Sequence, residues 1–345
     1  GKGSTYPDLF GCVGILFEQP SSRGALQNTI NGVLAFEETI LNQFRASMSS
    51  IKASASLKNE LLAYQRDFYQ SVRRKKAKGH YLATIEGDKT RLTEFARVLS
   101  GHQITAELLA KDATAGGVEY KADATLAIPA NQIQSTYLSA IWRRQLNFQE
   151  NVFYDVSTWT LPLAFGLTHT VEPVRGVATE KLSEQLSPQS KELIRSSIGY
   201  LVDWRDSATP KLLYQLFDTE VKIRVATRPL TANIKRQGVR SFGYGTLFVS
   251  PKLTEDFPED ALKILDSAAQ VGLGVYSVES STTPVGIDMG SRYFKVISKP
   301  NVLLASGAGT NAYRVGEIWH LLDTRVQMPV TRVGLERLVN VDLSN

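Results

Sequence analysis

Cysteine and histidine are scarce in this sequence. Its 345 residues include one cysteine, Cys12, and four histidines, which are His80, His102, His169 and His320. A single cysteine excludes an intramolecular disulfide framework and any zinc site built from several cysteines. The four histidines limit how many imidazole ligands or bases a site on this chain could use.

Long apolar runs are also absent. The best candidate for a membrane span, residues 158–167, is shorter than the ~18 residues that a span needs and is interrupted by Pro162. Residues 1–7 lack the apolar core of a signal peptide. We therefore expect no membrane span, and the chain could be a mature protein or a piece of a longer one.

The composition is that of a globular protein. Hydrophobic residues make up 43% of the chain and charged residues 21%, which argues against a fibrous or wholly disordered protein. The 39 Lys and Arg residues exceed the 34 Asp and Glu residues by a net charge of +5, and this small excess does not demand a nucleic-acid partner. At about 150 residues per domain, the length predicts two or three domains.

Residues 1–78 predict a strand followed by helices, forming the end of a domain. The apolar run at residues 12–17 leads into a polar loop at residues 18–24, a pattern typical of a buried strand. Apolar residues then recur at spacings of three and four over residues 36–72, which predicts one or two amphipathic helices. Gly79 marks a domain boundary.

Two α/β units are predicted after this boundary. Strands and helices alternate in residues 79–185, which indicates a smaller α/β middle domain. Residues 186–345 contain five predicted strands interleaved with helices, which indicates an open, doubly wound sheet of flavodoxin-like type. The predicted strands of this last domain are residues 197–202, 222–226, 246–250, 274–278 and 301–305. We find no internal repeat of fixed period.

A glycine-rich loop is the clearest candidate ligand site in the last domain. Residues 306–312 match G-x-G-x-x-A between a predicted strand and a predicted helix, where glycines let a phosphate approach the backbone. Gly307, Gly309 and Thr310 are therefore candidate ligand-binding residues. The acidic residue that a dinucleotide site needs, about 20 residues further on, falls at Asp323, near the predicted helix end. A tight turn without a ligand explains the same pattern.

Two further patterns suggest chemistry but have simpler explanations. His169 and Glu172 have the H-x-x-E spacing of a zinc site, with His320 as a third candidate ligand. They flank a predicted loop that does not fix their geometry, so a stand-alone zinc hydrolase is the least favoured hypothesis. Cys12 lies in the apolar run without a base nearby, which predicts a buried, inert thiol.

Glu18 occupies a suggestive position. Its carboxylate directly follows the apolar run at residues 12–17, and the polar loop after it carries Arg23. The end of a rigid strand is where a general base or a substrate clamp would be held. From position alone, a surface acid in a loop is the simpler interpretation of Glu18.

Several stretches resemble zinc carboxypeptidases of the carboxypeptidase A type, particularly large bacterial members. The stretches similar to the end of their catalytic domain are Tyr-Pro-Asp at residues 6–8, Gly-Ile-Leu-Phe-Glu-Gln at 14–19, Ser-Ser-Arg-Gly at 21–24 and the helical residues 37–69. Those similar to their C-terminal extension are residues 128–132 and 153–163. Residues 186–345 look like the glutamine-amidotransferase-like domain that closes this extension.

The resemblance implies a role for Glu18. In that family a glutamate at this position is the general base, which takes a proton from zinc-bound water and later protonates the leaving amine. The family places its zinc ligands upstream of this glutamate, and only 17 residues precede Glu18 here. His169 and Glu172 follow Glu18 and so have the wrong order.

We therefore expect the rest of the catalytic site to belong to a longer parent protein. By resemblance, that parent supplies zinc, an upstream carboxypeptidase catalytic domain and a peptide substrate, and it is periplasmic or secreted. Arg23 would stand in a substrate-binding position. We expect no metal site and no cofactor in this chain, which alone should be inactive.

The amidotransferase likeness does not extend to its chemistry. That class needs a cysteine nucleophile after a central strand, whereas the corresponding residues 278–280 are Val-Glu-Ser and no cysteine follows Cys12. We therefore expect no glutamine hydrolysis. The alternative to the carboxypeptidase hypothesis is a non-catalytic α/β module that binds a ligand or a protein in the strand-end cleft near Gly307 and Gly309.

Overall fold

The computed structural model describes residues 4–74, 77–122, 124–147, 160–182, 193–254 and 256–343. Helices and β-sheets occur together in these ranges, so the predicted mixed α/β class is confirmed. The chain forms two compact units: Gly1–Thr84 with Phe95–Lys181, and Ile85–Glu94 with Leu182–Asn345. The division into 1–78, 79–185 and 186–345 stays a prediction.

The first unit begins with a hairpin and two helices. A 3-10 turn at Pro7–Phe10 precedes strands β1 (Leu26–Thr29) and β2 (Gly32–Ala35) and helices α1 (Phe36–Ser56) and α2 (Lys58–Arg74). The amphipathic helices predicted over residues 36–72 are therefore confirmed. Each of them has one buried residue, Thr39 in α1 and Val72 in α2, so most of their surface is open.

The prediction of a strand at residues 12–17 is wrong. Residues 12–22 form neither helix nor strand. Val13, Ile15, Leu16 and Phe17 are each more than half exposed. A strand needs neighbouring backbone groups to pair with, and none of the described strands pairs with this run. The segment therefore has the side chains typical of a buried strand, but no described sheet buries them.

A five-stranded sheet follows in the chain. Its region contains β3 (His80–Thr84), α3 (Lys89–Gly101), β4 (Glu107–Leu109), β5 (Ala113–Ala115), β6 (Val118–Tyr120), β7 (Thr125–Pro129), α4 (Ser135–Trp142), α5 (Leu161–Ala164), β8 (Thr168–His169) and β9 (Thr179–Lys181). The sheet has the order β8-β3-β7-β4-β9, with every pairing antiparallel, and β5 and β6 form a separate hairpin.

The second unit contains another five-stranded sheet. Its elements are β10 (Tyr200–Val202), α6 (Thr209–Phe217), β11 (Ile223–Ala226), β12 (Leu230–Ile234), β13 (Gly238–Phe242), β14 (Leu247–Val249), α7 (Glu259–Gln270), β15 (Val275–Ser277) and β16 (Phe294–Ile297). The order is β15-β10-β14-β11-β16, and β12 and β13 form a separate hairpin.

The two sheets share one topology. Each is built as β-α-β, an inserted hairpin, β-α-β and a fifth strand, and the four main strands lie in the order 4-1-3-2. This is the split β-α-β, or ferredoxin-like, arrangement. The sequence shows no repeat of fixed period, yet the described structure contains this arrangement twice, once in each five-stranded sheet.

The doubly wound sheet predicted for residues 186–345 is not confirmed, because the pairings of the second sheet are antiparallel. After β11 the chain returns through the hairpin β12–β13, and β14 then enters between β10 and β11 in the opposite direction. A buried strand is apolar on both faces whichever way its neighbours run, so the apolar pattern does not reveal strand direction.

Both faces of the second sheet are covered. On one face, Val249 belongs to a core that includes Leu216 of α6 and Leu265 of α7. On the other face, Phe248 belongs to a core that includes Ile234 of the hairpin β12–β13. Because both faces are occupied, the loops at the ends of these strands are the accessible part of the sheet.

The second unit ends in a parallel β-α-β segment. It comprises β17 (Val302–Ser306), α8 (Ala312–Trp319), a π-helical stretch at His320–Val326, β18 (Val330–Gly334) and a 3-10 helix at Leu335–Asn340. β17 and β18 pair in parallel, and the residues of both strands are exposed or half-buried. Within the described ranges, no helix is long and apolar enough to cross a membrane.

Candidate functional site

Glu18 lies on the surface at the end of the exposed apolar run. Its side chain is exposed, like those of Leu16 and Phe17 before it. Among the residues that the structure describes, none forms a hydrogen bond or an ion pair with the Glu18 carboxylate. The carboxylate is therefore open to solvent and to any group that covers this surface.

Contacts just before Glu18 fix the start of the run. The backbone N–H of Gly14 donates to Asp8 Oδ1 at 2.8 Å. Tyr6 Oη lies 2.6 Å from His102 Nδ1, which ties this segment to the end of α3. A Cβ on Gly14 would lie 1.7 Å from the carbonyl oxygen of Ser4, so this close approach requires glycine. The run is thus anchored at its beginning and exposed where it reaches Glu18.

Arg23 lies in a separately ordered turn. Its backbone N–H donates to Gln27 Oε1 at 2.8 Å, and Ser22 Oγ donates to the carbonyl oxygen of Gly24 at 2.6 Å. Ser22 is buried, whereas the Arg23 side chain is exposed. No contact within the described ranges joins Arg23 to Glu18, so the structure does not bring these two candidate residues together.

Cys12 is exposed, and the prediction of a buried thiol is wrong. Its Sγ lies 3.5 Å from Gln65 Nε2 of α2, and its backbone N–H donates to the carbonyl oxygen of Pro7. The prediction failed because it assumed a sheet around residues 12–17, and no described strand pairs with this run.

The H-x-x-E pattern does not form a ligand set. His169 Nδ1 lies 3.0 Å from the carbonyl oxygen of Leu167, and the His169 ring packs edge-on against Trp142. Burial raises the pKa of Tyr81, and the nearby Glu172 carboxylate raises it further. In the parts of the chain described, no group of three His, Cys, Asp or Glu side chains could hold a metal ion.

The glycine-rich loop has the predicted location between a strand and a helix. Gly307 and Gly309 have φ values of +90° and +87°, a region that favours glycine. Thr310 closes the turn, since its N–H and its Oγ1 both donate to the carbonyl oxygen of Gly307. Asn311 caps α8 by accepting from the N–H of Arg314. The loop is exposed at the carboxyl end of β17, beside β18.

Sequence reasoning missed the acid that accompanies this loop. Glu336 follows β18 by two residues, and its Oε2 lies 3.8 Å from the position that a Cβ of Gly307 would occupy. Asp323, the acid that the usual spacing selects, lies in the π-helical stretch instead. That stretch lengthens the connection between β17 and β18, so the carboxylate after the second strand comes later than the spacing rule expects.

Two buried acids near the end of β10, Asp88 and Asp206, hold the starts of two helices. Asp88 Oδ1 accepts from the N–H of Arg91 and from Ser207 Oγ. Asp206 accepts from the N–H of Ala208 and from that of Thr90. Each carboxylate therefore satisfies N–H groups at helix starts that lack intrahelical partners.

The chain matches no protein-family model, no curated protein and no solved structure.

Proposed function

We propose that this chain is the C-terminal region of a zinc carboxypeptidase-like protein in which Glu18 is the general base. The proposal rests on the resemblance of residues 6–8, 14–19 and 21–24 to the end of that family's catalytic domain, and the exposed run before Glu18 supports it: Val13, Ile15, Leu16 and Phe17 are 54–63% exposed. Val, Ile and Phe are residues that favour a pleated, half-buried strand. Their exposure is the arrangement expected of a strand whose sheet partners belong to another part of the protein.

Other elements within residues 1–78 also expose apolar side chains. Ile30 at the hairpin tip is 102% exposed, and a stripe on α1 formed by Phe36, Ile40, Phe44 and Ile51 is 48–62% exposed. Soluble monomers rarely expose contiguous apolar patches larger than a few hundred Å², because each Å² kept in water costs roughly 25 cal/mol. The surface supports the view that residues 1–78 complete a larger domain.

The part of the reaction assigned to this chain is proton transfer. The Glu18 carboxylate would accept a proton from the attacking water and return it to the leaving amine of the peptide. The described residues do not form a zinc site, so the metal and its ligands would come from upstream sequence. Arg23, exposed in its ordered turn, would contact the substrate.

The first experiment is an assay of this chain with zinc added to excess and with peptides that carry different C-terminal residues. We expect no release of the terminal amino acid. Zinc-dependent release by this chain alone would contradict the proposal.

The second experiment concerns the coding sequence upstream of Gly1, which should encode a His-x-x-Glu pair and a later His. In a protein extended to include them, Glu18→Gln should lower kcat by about 10²- to 10⁴-fold while zinc content stays unchanged. Glu38→Gln, an exposed acid on α1, is the matched control and should have no effect. An upstream region without these ligands would refute the assignment.

A second candidate function, binding of a phosphate-bearing small molecule at Gly307, Gly309 and Thr310, is favoured by the parallel register of β17 and β18. This register places the exposed loop beside Glu336 at one edge, and a carboxylate after the second strand can accept hydrogen bonds from a ribose. Of the flavodoxin-like sheet expected for residues 186–345, the described strands β17 and β18 are the ones that pair in parallel.

Thermal-shift measurements with nucleotides, acyl-peptides and sugars test this candidate. A bound nucleotide at 100 times its Kd would stabilise the fold by about 2.7 kcal/mol. Glu336→Gln should reduce the shift for ribose-containing ligands, whereas Glu317→Gln on α8 should leave it unchanged. No response to any of these compounds would eliminate the candidate without affecting the carboxypeptidase proposal.

A further inference from the structure

The second unit concentrates positive charge in one segment. Residues 221–254 contain seven Lys and Arg residues and no Asp or Glu, an excess larger than the net charge of +5 of the whole chain. The segment runs from β11 through the hairpin β12–β13 to β14. The small net charge of the chain therefore hides a strongly basic region.

Arg228 of this segment and Arg292, from a later part of the chain, stack on one tyrosine. Arg228 Cζ lies 3.7 Å from the centre of the Tyr293 ring and Arg292 Cζ lies 5.2 Å from it. The N–H of Thr227 donates to the carbonyl oxygen of Tyr293 at 3.0 Å, which joins the end of β11 to the start of β16. The two guanidinium groups are thus held at one place by chain segments far apart in sequence.

Exposed aromatic side chains lie at the same edge. The N–H of Gly245 donates to the carbonyl oxygen of Ala226, so Tyr244 adjoins the end of β11. Tyr244 is 70% exposed and Trp204 is 38% exposed. A Cβ on Gly245 would lie 2.9 Å from the Trp204 ring, so Trp204 and the segment carrying Tyr244 are in close contact.

Neither Arg228 nor Arg292 forms an ion pair with a carboxylate of the described residues. The corresponding edge of the first sheet differs, since Lys121 there pairs with Asp112 at 2.9 Å and with Glu119 at 2.5 Å. The cation that follows the inserted hairpin of the first sheet is therefore neutralised, whereas Arg228 and Arg292 at the second sheet are not. The shared topology does not explain this difference.

We propose that this edge, formed by Trp204, Arg228, Tyr244, Arg292 and Tyr293 and called the arginine–tyrosine edge, binds single-stranded nucleic acid. Guanidinium groups neutralise backbone phosphates, and exposed rings stack on bases. An acidic protein surface would also pair with the arginines, and an anionic lipid surface would accept both the arginines and the amphipathic rings. Single-stranded nucleic acid is the ligand that presents phosphates and planar bases together at a regular spacing.

The test is fluorescence anisotropy of the full chain with a labelled oligothymidylate of about 20 nucleotides at several salt concentrations. The double variant Arg228→Ala/Arg292→Ala should bind more weakly, and its slope of log K against log salt should fall by about 1.4, since each phosphate that is no longer neutralised accounts for about 0.7. Tyr244→Ala should weaken binding about 5- to 100-fold. Lys121→Ala is the control and should bind like the parent.

The same experiment tests the two competing ligands, an acidic protein surface and an anionic lipid surface. Polyglutamate should compete poorly, and vesicles of anionic lipid should not displace the oligonucleotide. Absence of binding, equal binding by the double variant and the parent, an unchanged affinity of Tyr244→Ala, or displacement by polyglutamate or vesicles would each overturn the proposal. Circular dichroism of every variant ensures that weaker binding is not caused by unfolding.

Discussion

The guanidinium group of Arg205 binds the buried carboxylate of Asp203 in a two-pronged contact, with Nη2 2.7 Å from Oδ2 and Nε 3.1 Å from Oδ1. Its Nη1 binds a second carboxylate, that of Glu86, at 2.6 Å. The Asp203 side chain is 7% exposed, whereas that of Glu86 is 92% exposed. One arginine therefore pairs with a buried acid and an exposed acid, and the two contacts should differ in energy.

We predict that Asp203→Asn lowers the free energy of unfolding by about 2 kcal/mol at neutral pH, because a charge-assisted hydrogen bond to a buried group is worth about 1.5–3 kcal/mol. Glu86→Gln, the matched control, should cost less than about 1 kcal/mol because an exposed pair is screened by solvent. Urea unfolding measures both values. Equal losses of unfolding free energy in the two variants would contradict the view that the buried contact is the stronger one.

The same pair gives a pH dependence. Burial raises the pKa of Asp203, but hydrogen bonds from Arg205 and the charges of Arg205 and Arg240 outweigh burial, so the pKa lies below its ordinary value of 3.8. The ionised form therefore stabilises the fold above the ordinary value, and this stability is lost as the pH falls through the lowered pKa. The stability difference between the parent and Asp203→Asn should be constant near neutral pH and shrink below about pH 4. A stability difference that grows as the pH falls would contradict the lowered pKa of Asp203.

Asp88 and Asp206 should behave as a coupled pair. Asp88 accepts hydrogen bonds from the N–H of Arg91 in α3 and from Ser207 Oγ before α6. Asp206 accepts hydrogen bonds from the N–H of Ala208 before α6 and from the N–H of Thr90 in α3. We predict that Asp88→Ala and Asp206→Ala each cost about 1–2 kcal/mol of unfolding free energy. The double variant should cost less than the sum of the two by at least about 0.5 kcal/mol, since the groups share one network. Strict additivity in denaturant unfolding would show that the two caps are independent.

The sequence predicted the positions of most helices and strands in the second unit but not how its strands pair. The strands predicted at 246–250 and 274–278 appear as β14 and β15, because both follow apolar patterns that burial enforces. Strand direction leaves no trace in such patterns. The hairpin β12–β13 left a readable signal that was missed, since Leu230, Ala232 and Ile234 alternate with half-buried residues.

The candidate sites were predicted unevenly for physical reasons. The loop at Gly307 was located because positive φ values and a strand-to-helix turn favour glycine. Glu336 was missed because a spacing rule assumes an ordinary helix, and a π-helical stretch follows α8 here. The exposure of Phe17 could not be predicted, because an apolar strand pattern does not reveal whether its partner strands are present.

Gly199 provides a test of close packing in the second sheet. Its φ is +147°, and a Cβ there would lie 2.6 Å from the carbonyl oxygen of Val249 and 2.6 Å from Phe248 Cε2. We predict that Gly199→Ala costs more than about 2 kcal/mol, since both backbone strain and a clash oppose it. Gly101, the last residue of α3, has no atom within 4 Å of its Cβ position and an ordinary φ. Gly101→Ala should therefore stabilise the fold by about 0.5–1 kcal/mol, and thermal unfolding of both variants measures this contrast.

The exposed run before Glu18 should not contribute to the stability of this chain. Ile15 and Phe17 are 63% and 54% exposed, so Ile15→Ser and Phe17→Ser remove almost no buried apolar area and should change the free energy of unfolding by less than about 0.5 kcal/mol. Leu82→Ala, at a fully buried position of β3, is the contrasting control and should cost about 2–5 kcal/mol.

The same two serine variants should change how the chain associates. Removing exposed apolar groups should lower binding of a hydrophobic dye and reduce aggregation on concentration, because that surface is a site for non-specific contacts. In a protein extended upstream, the substitutions should instead become destabilising, because a sheet would then bury Ile15 and Phe17 at about 1.5–3 kcal/mol each. Equal stability of parent and variants in the extended protein would mean that the run stays exposed there, and Glu18 would then lack the rigid strand end that a general base requires.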